Sequence, residues 1–186
     1  MWVMDADGAN PRFVTEITEA NFLEWLPDGK DILYYSDVEK QLCLFDLAAK
    51  MSRRLTNEPG VRAGVFVSSD GKWILYLSTK DTGSADIRAI PINGGDSRPV
   101  LASPKEDGHP SIPPSGRWLY FQFDHKNVYR VPGPSQNWRA AEPEKITSFP
   151  ETNLYLEDTQ LSNDGRTLLY SHGKIVGDLW LIRASE

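Results

Sequence analysis

An all-β fold of four-stranded antiparallel blades, a β-propeller, is what this sequence predicts, and three observations predict it. A turn followed by an apolar strand recurs four times, with its glycine at Gly29, Gly71, Gly116 and Gly165, spaced by 42, 45 and 49 residues. Periods in the forties suit either a four-stranded blade or a helical repeat. The segments between the turns read as short strands in the same order each time, which selects the blade. Helical patterning is nearly absent, while 13 prolines and 14 glycines are spread along the 186 residues, as a chain of many strands and tight turns requires.

The anchors read Pro27-Asp28-Gly29, Ser69-Asp70-Gly71, Pro114-Ser115-Gly116 and Asn163-Asp164-Gly165. Each leads into an apolar run such as Ile32-Leu33-Tyr34 or Ile74-Leu75-Tyr76. Asp-Gly predicts a type I′ hairpin turn, which needs φ > 0 at both central residues. An innermost strand is expected before each anchor, at 21–25, 63–67, 109–112 and 158–161. A third strand follows at 42–45, 87–90, 128–131 and 179–182, and the opening residues 1–4 align with these. A short edge strand closes each unit at 12–15, 53–56, 98–101 and 144–147. Pro99 fits only an edge, where its missing N–H costs no ladder bond. Basic residues in three of the edge strands guard against pairing with other chains. The stretch 46–50 is too short for a helix and reads as loop.

The resulting units are 1–15 (partial), 16–57, 58–103, 104–148 and 149–186 (partial), within one domain. They hold 17 expected strands, where a closed ring of four blades needs 16. The count favours an open arc of a larger propeller over a ring with one displaced strand. An open edge then makes oligomerisation an expectation.

Composition limits the function. Hydrophobic residues are 40% and charged residues 25% of the chain, a globular balance. Twenty Lys and Arg against 26 Asp and Glu give a net charge of −6, the wrong sign for contacting nucleic acid or an anionic membrane. No apolar run is long enough to span a bilayer, so no membrane insertion is expected. Residues 1–5 show no basic or apolar leader pattern, so no signal peptide is expected in this chain. They read as a strand in mid-motif, so the chain is expected to be a piece of a longer protein, whose compartment, cytoplasmic or periplasmic, follows that parent.

The quoted residues carry a likeness to a known family. Pro27-Asp28-Gly29-Lys30, the Ile-Leu-Tyr after it, Trp2-Val3-Met4-Asp5-Ala6-Asp7-Gly8 and the closing Arg54-Leu55-Thr56 resemble the TolB-type, WD-like propeller repeat. The likeness recurs in register over nearly the whole chain, with Ser115 and Asn163 departing from the pattern in ways that soften those turns without abolishing them. Such blades occur in the Tol–Pal protein TolB, in the propellers of prolyl-oligopeptidase-like peptidases and behind regulatory domains of bacterial proteins. The last unit, with Tyr170-Ser171-His172-Gly173 before Asp178-Leu179-Trp180, is most similar to the regulator group. The resemblance implies a non-catalytic module for protein interaction, sensing or ligand binding. The alternatives are a propeller accessory to a prolyl-oligopeptidase-like hydrolase and a metal-dependent propeller enzyme.

The residues themselves offer little chemistry. No G-x-S-x-G elbow is present, and the single cysteine, Cys43, sits between Leu42 and Leu44 in a predicted strand, as a packing cysteine does. His109, His125 and His172 lack metal-ligand spacing, and no cofactor is expected. His109 lies at the start of an innermost strand, where it reads as a loop or rim histidine, with a place facing a central channel as the alternative. The acids Glu106, Asp107, Glu157 and Asp158 precede innermost strands; Glu157 and Asp158 are weak metal candidates there, against the plainer reading of a solvated acidic loop. Trp73 and Trp118 read as packing between blades. Trp138, in the Pro- and Ser-rich insertion 132–143, reads either as a cover over the local core or as a contact anchor on an exposed loop beside Arg139. Trp138, Arg139, Tyr129 and His109 are the candidates for holding a protein partner.

Overall fold

In a computed structural model, the described residues are 1–174 apart from Ser69, 103–106, Asp124, 139–140, Thr152, Asn163 and Gly165. They form sixteen strands and a single 3-10 turn, Pro134–Gln136. Three complete sheets follow one another, each with its strands paired antiparallel in chain order. The first comprises β3 (Ala20–Trp25), β4 (Asp31–Ser36), β5 (Gln41–Asp46) and β6 (Met51–Arg54). The second comprises β7 (Val61–Val67), β8 (Trp73–Ser78), β9 (Asp86–Pro91) and β10 (Arg98–Leu101). The third comprises β11 (Asp107–Ser111), β12 (Trp118–Phe123), β13 (Asn127–Pro132) and β14 (Glu144–Lys145). Two-stranded hairpins flank them, β1 (Trp2–Val3) with β2 (Arg12–Phe13) and β15 (Leu154–Leu161) with β16 (Leu168–Lys174). The third strand expected at 179–182 lies outside the described residues.

The turns at the anchors correct one expectation. They are not two-residue type I′ turns, because only the glycines take positive φ, at +67° for Gly29 and Gly71 and +61° for Gly116. Each glycine N–H instead donates three residues back, to Leu26, Ser68 and Pro113. The Asp side chain explains the preference for this form. Asp28 accepts the Lys30 N–H at 2.9 Å and Asp70 that of Lys72 at 3.1 Å, a side-chain turn that needs no left-handed aspartate. Ser115 reproduces the contact more weakly, its hydroxyl 3.4 Å from the Arg117 N–H.

The core is laid down as sheets of apolar side chains between successive blades. Leu33, Leu44, Val65, Ile74 and Tyr76 join the first blade to the second, and Leu75, Ile87, Leu119 and Phe121 join the second to the third. Val128, Leu154 and Leu156 continue it to the β15–β16 hairpin. The middle strands are covered on both faces, which is why they read as unbroken apolar runs rather than alternating ones. The threonine that closes the first and third complete blades has its own task. The Thr56 and Thr147 hydroxyls accept the N–H groups of Leu42 and Val128, at 3.0 and 2.9 Å, tying the edge to the third strand beyond the ladder.

One polar cluster is built into the first blade boundary. Glu58 accepts hydrogen bonds from Tyr76, from Lys80 at 2.6 Å and from Ser97 at 3.1 Å, and sits 3.2 Å from Arg88. Arg88 also bonds Asp81 at 2.5 Å. Burial opposes the Glu58 charge, but these partners together hold its pKa below the ordinary carboxylate value. Burial, and then the Glu58 carboxylate, push the Tyr76 phenol up to about 12.

Candidate functional site at the channel

The innermost strands β3, β7, β11 and β15 stand in chain order around a cavity of about 610 Å³. Its wall runs from Glu24 through 65–67 and 109–112 to 158–161. Every one of these strands is interrupted in its pairing with the next. The register slips between Asn21 and Glu24, Arg62 and Val65, Gly108 and Ser111, and Leu156 and Thr159. Such bulges re-aim a side chain and end regular pairing, and they gather beside functional sites.

One residue of each bulge lies seven positions before the turn glycine: Phe22, Gly64, His109 and Asp158. The first three adopt left-handed backbone, with φ of +53°, +116° and +48°. Gly64 is the residue suited to that conformation, and a Cβ there would also lie 3.0 Å from Leu77 Cδ1. Phe22 and His109 hold it at a strain cost of about 1 kcal/mol each.

His109 and Asp158 occupy the same position in neighbouring units, and the curvature of the sheets brings them together. His109 Nδ1 is 3.3 Å from Asp158 Oδ1, and the imidazole lies 6.3 Å from the Phe66 ring, centroid to centroid. Burial pushes the His109 pKa below its ordinary value; the Asp158 carboxylate pulls it back and His125 adds to the lowering. The imidazole is therefore neutral at pH 7. The approach of the Asp158 carboxylate to Nδ1 favours the tautomer that carries its proton there. The pair is an oriented polar contact at the channel wall, with the more exposed Asp158 at its rim.

The other predicted residues fall elsewhere. Tyr129 is wedged between Phe121 and Phe123, with ring centroids at 6.1 and 5.4 Å, so its ring packs the third blade. Trp138 is partly buried, edge-on to Trp73 at 5.3 Å and packed on the core between the second and third blades, so it covers the local core rather than standing exposed as a contact anchor. The turn at 134–136 folds the insertion back over that core. Glu157 is exposed and accepts the Tyr155 hydroxyl at 3.4 Å. Arg139 and Glu106 lie outside the described residues. Among the described residues no three His, Cys, Asp or Glu side chains come together as a metal site. The sequence shows that His109 and Asp158 share an offset from the turn glycine, but their contact comes only from the way the sheets stack.

No family model matches the chain. An uncharacterized protein of Agrobacterium fabrum is 27% identical over 134 residues, 71% of this chain and 45% of that protein. Among solved structures, TolB from Acinetobacter baumannii superposes with a TM-score of 0.70 at 21% identity, covering 93% of this chain and 43% of TolB. An oligogalacturonate lyase in complex with manganese gives 0.72 at 15% identity, over 93% of this chain and 52% of the lyase. A prolyl endopeptidase gives 0.69 at 16%, over 93% of this chain and 28% of the enzyme. The chain thus spans about half the length, or less, of the proteins it matches. No helix among the described residues is long and apolar enough to cross a membrane. With three consecutive four-stranded blades and half-blades on either side, the described chain has the fold of the TolB-like β-propellers.

Proposed function

We propose that this chain is a non-catalytic TolB-like propeller module that recognises a protein partner at the mouth of its channel. The observation that carries the reading is His109, a side chain held in strained left-handed backbone on a bulge and oriented by Asp158 toward a cavity of about 610 Å³. Strain retained at one point of a regular repeat marks a site of use. Partner recognition here requires no proton transfer: neutral Nε2 accepts, Asp158 accepts, and Phe66 supplies an apolar floor.

The test is capture by the immobilised chain from cell extract. Recovery of specific proteins should fall with His109→Ala and with Asp158→Ala and persist with Met51→Lys on the exposed edge strand β6. Equal recovery by all three overturns the channel assignment. The manganese-bound lyase among the structural neighbours favours metal-dependent chemistry as a second reading. Titration with Mn²⁺ by calorimetry separates the two, since saturable uptake abolished by His109→Ala belongs only to the second.

A further inference from the structure

A buried amide lies between the two bulges that carry His109 and Asp158. Gln122, between Phe121 and Phe123 in β12, is 1% exposed. Across the ladder it faces Gly108, the residue before His109 and the point at which the register of β11 slips. Across the blade boundary its Nε2 donates to Thr159 Oγ1 at 3.4 Å. Thr159 is the residue after Asp158 and the point at which the register of β15 slips. One side chain thus adjoins both halves of the channel pair from behind.

The same position ties innermost strands together elsewhere. Gln122 comes six residues after its turn glycine, and so do Tyr35 and Leu77. Tyr35, also buried, faces Asn21 at the β3 bulge and donates to the Val61 carbonyl of β7 at 3.3 Å. One innermost strand is there linked to the next by way of a second strand. Leu77 has no polar atom with which to make such a tie.

Stability does not account for Gln122. Its Oε1 has no hydrogen-bond partner among the described residues, and a buried carbonyl left unpaired costs more than an apolar group of the same shape. The bond from Nε2 is long and returns little. A buried polar group kept on such terms calls for a role other than packing.

We propose that Gln122 is a positioning residue for the channel pair: through Thr159 it holds the β15 bulge against the β11 bulge, so that Asp158 meets Nδ1 of His109. The inference rests on the channel site of the proposed function, but it is read at the imidazole itself and requires no partner.

The test records imidazole nitrogen NMR spectra and the melting temperature of the whole chain, with His109 assigned by comparison with His109→Ala. In the unmodified chain His109 should show one neutral tautomer, protonated on Nδ1. Gln122→Met keeps the side-chain length and removes both polar atoms. It should mix the two tautomers and lower the midpoint of the His109 titration, because burial lowers that midpoint and the Asp158 carboxylate opposes it. His125, which adds to the lowering, and Glu24 on the same wall are common to every variant. The melting temperature of Gln122→Met should stay level or rise, since no orphaned carbonyl remains. Thr159→Val should disturb the imidazole in the same way but lower the melting temperature by about 2–4 °C, because it strands the amide at both ends. Thr159→Ser, which keeps Oγ1, should retain the single tautomer and the native midpoint. Imidazole signals unchanged in Gln122→Met, or in Thr159→Val, overturn the proposal. So does a melting temperature that falls as far in Gln122→Met as in Thr159→Val, the mark of a packing residue. If the spectra behave as described while capture is indifferent to His109→Ala, the brace stands and the partner reading falls.

Discussion

The middle strands and the innermost strands of these blades are made from the same repeat and differ in almost every physical respect. β4, β5, β8 and β9 pair without interruption and are nearly buried throughout. β3, β7, β11 and β15 each carry a bulge, and β3 exposes every residue from Asn21 to Trp25. The middle strands are constrained on both faces by neighbouring blades, so only apolar side chains of matching volume fit. The innermost strands face a channel on one edge, which frees one position per unit to hold Phe22, Gly64, His109 or Asp158. Under the proposed function, stability and recognition are separated by strand within each blade rather than by domain.

That separation can be broken by mutation, beginning where the effect is largest. Leu75→Ala in β8 should cost about 3 kcal/mol, as a cavity opened in a fully buried site does, whereas Phe22→Ala in β3 should cost less than about 0.5 kcal/mol. Equal losses by chemical denaturation would end the distinction. Next is Glu58→Ala, which leaves the nearly buried Arg88 with Asp81 as its remaining anionic partner beside the Ser97 hydrogen bonds and should cost about 2 kcal/mol, with partial solvent screening keeping it below a fully buried pair. Glu58→Gln should recover part of that, because it still accepts from Tyr76.

Smaller and of opposite sign is His109→Gly. Relief of left-handed strain should leave the melting temperature unchanged or raise stability by up to about 1 kcal/mol, while capture of channel-bound proteins is lost. A clear loss of stability would instead make His109 a packing residue. The smallest effect is on pH dependence. The folded pKa of His109 lies below its ordinary 6.5, so between those two values the unfolded chain binds more protons. The stability at stake is complete above pH 6.5 and is lost as pH falls through 6.5 toward the folded value. The slope in that window should flatten in His109→Gly and persist in Glu58→Gln, because the Glu58 carboxylate removed there titrates below that window.

Much of the fold was legible because its signals are local and repeated. Turn glycines and apolar runs recur where the blades recur, and each reports a backbone requirement of its own neighbourhood. The turn type was misjudged because Asp-Gly is compatible with two geometries, and the carboxylate contact two residues on selects between them. The site was legible only in part. His109 was recognised by its strand position and Asp158 by its charge, yet their union needs the offset from the turn glycine together with the angle between adjacent sheets. Trp138 left two readings open because a tryptophan in a proline-rich insertion carries no sequence mark of the fold-back that presses it against Trp73.

The sequence by itself determined the repeating strand order, the apolar runs that become interblade core and the position in each unit at which the backbone turns. These depend on residues within a few positions of one another, where side-chain size, backbone freedom and short-range hydrogen bonds act directly. Only the tertiary structure decided which side chains meet across units: Trp138 with Trp73, His109 with Asp158. Those encounters depend on how one twisted sheet stacks on the next, a relation summed over dozens of van der Waals contacts and carried by no single residue.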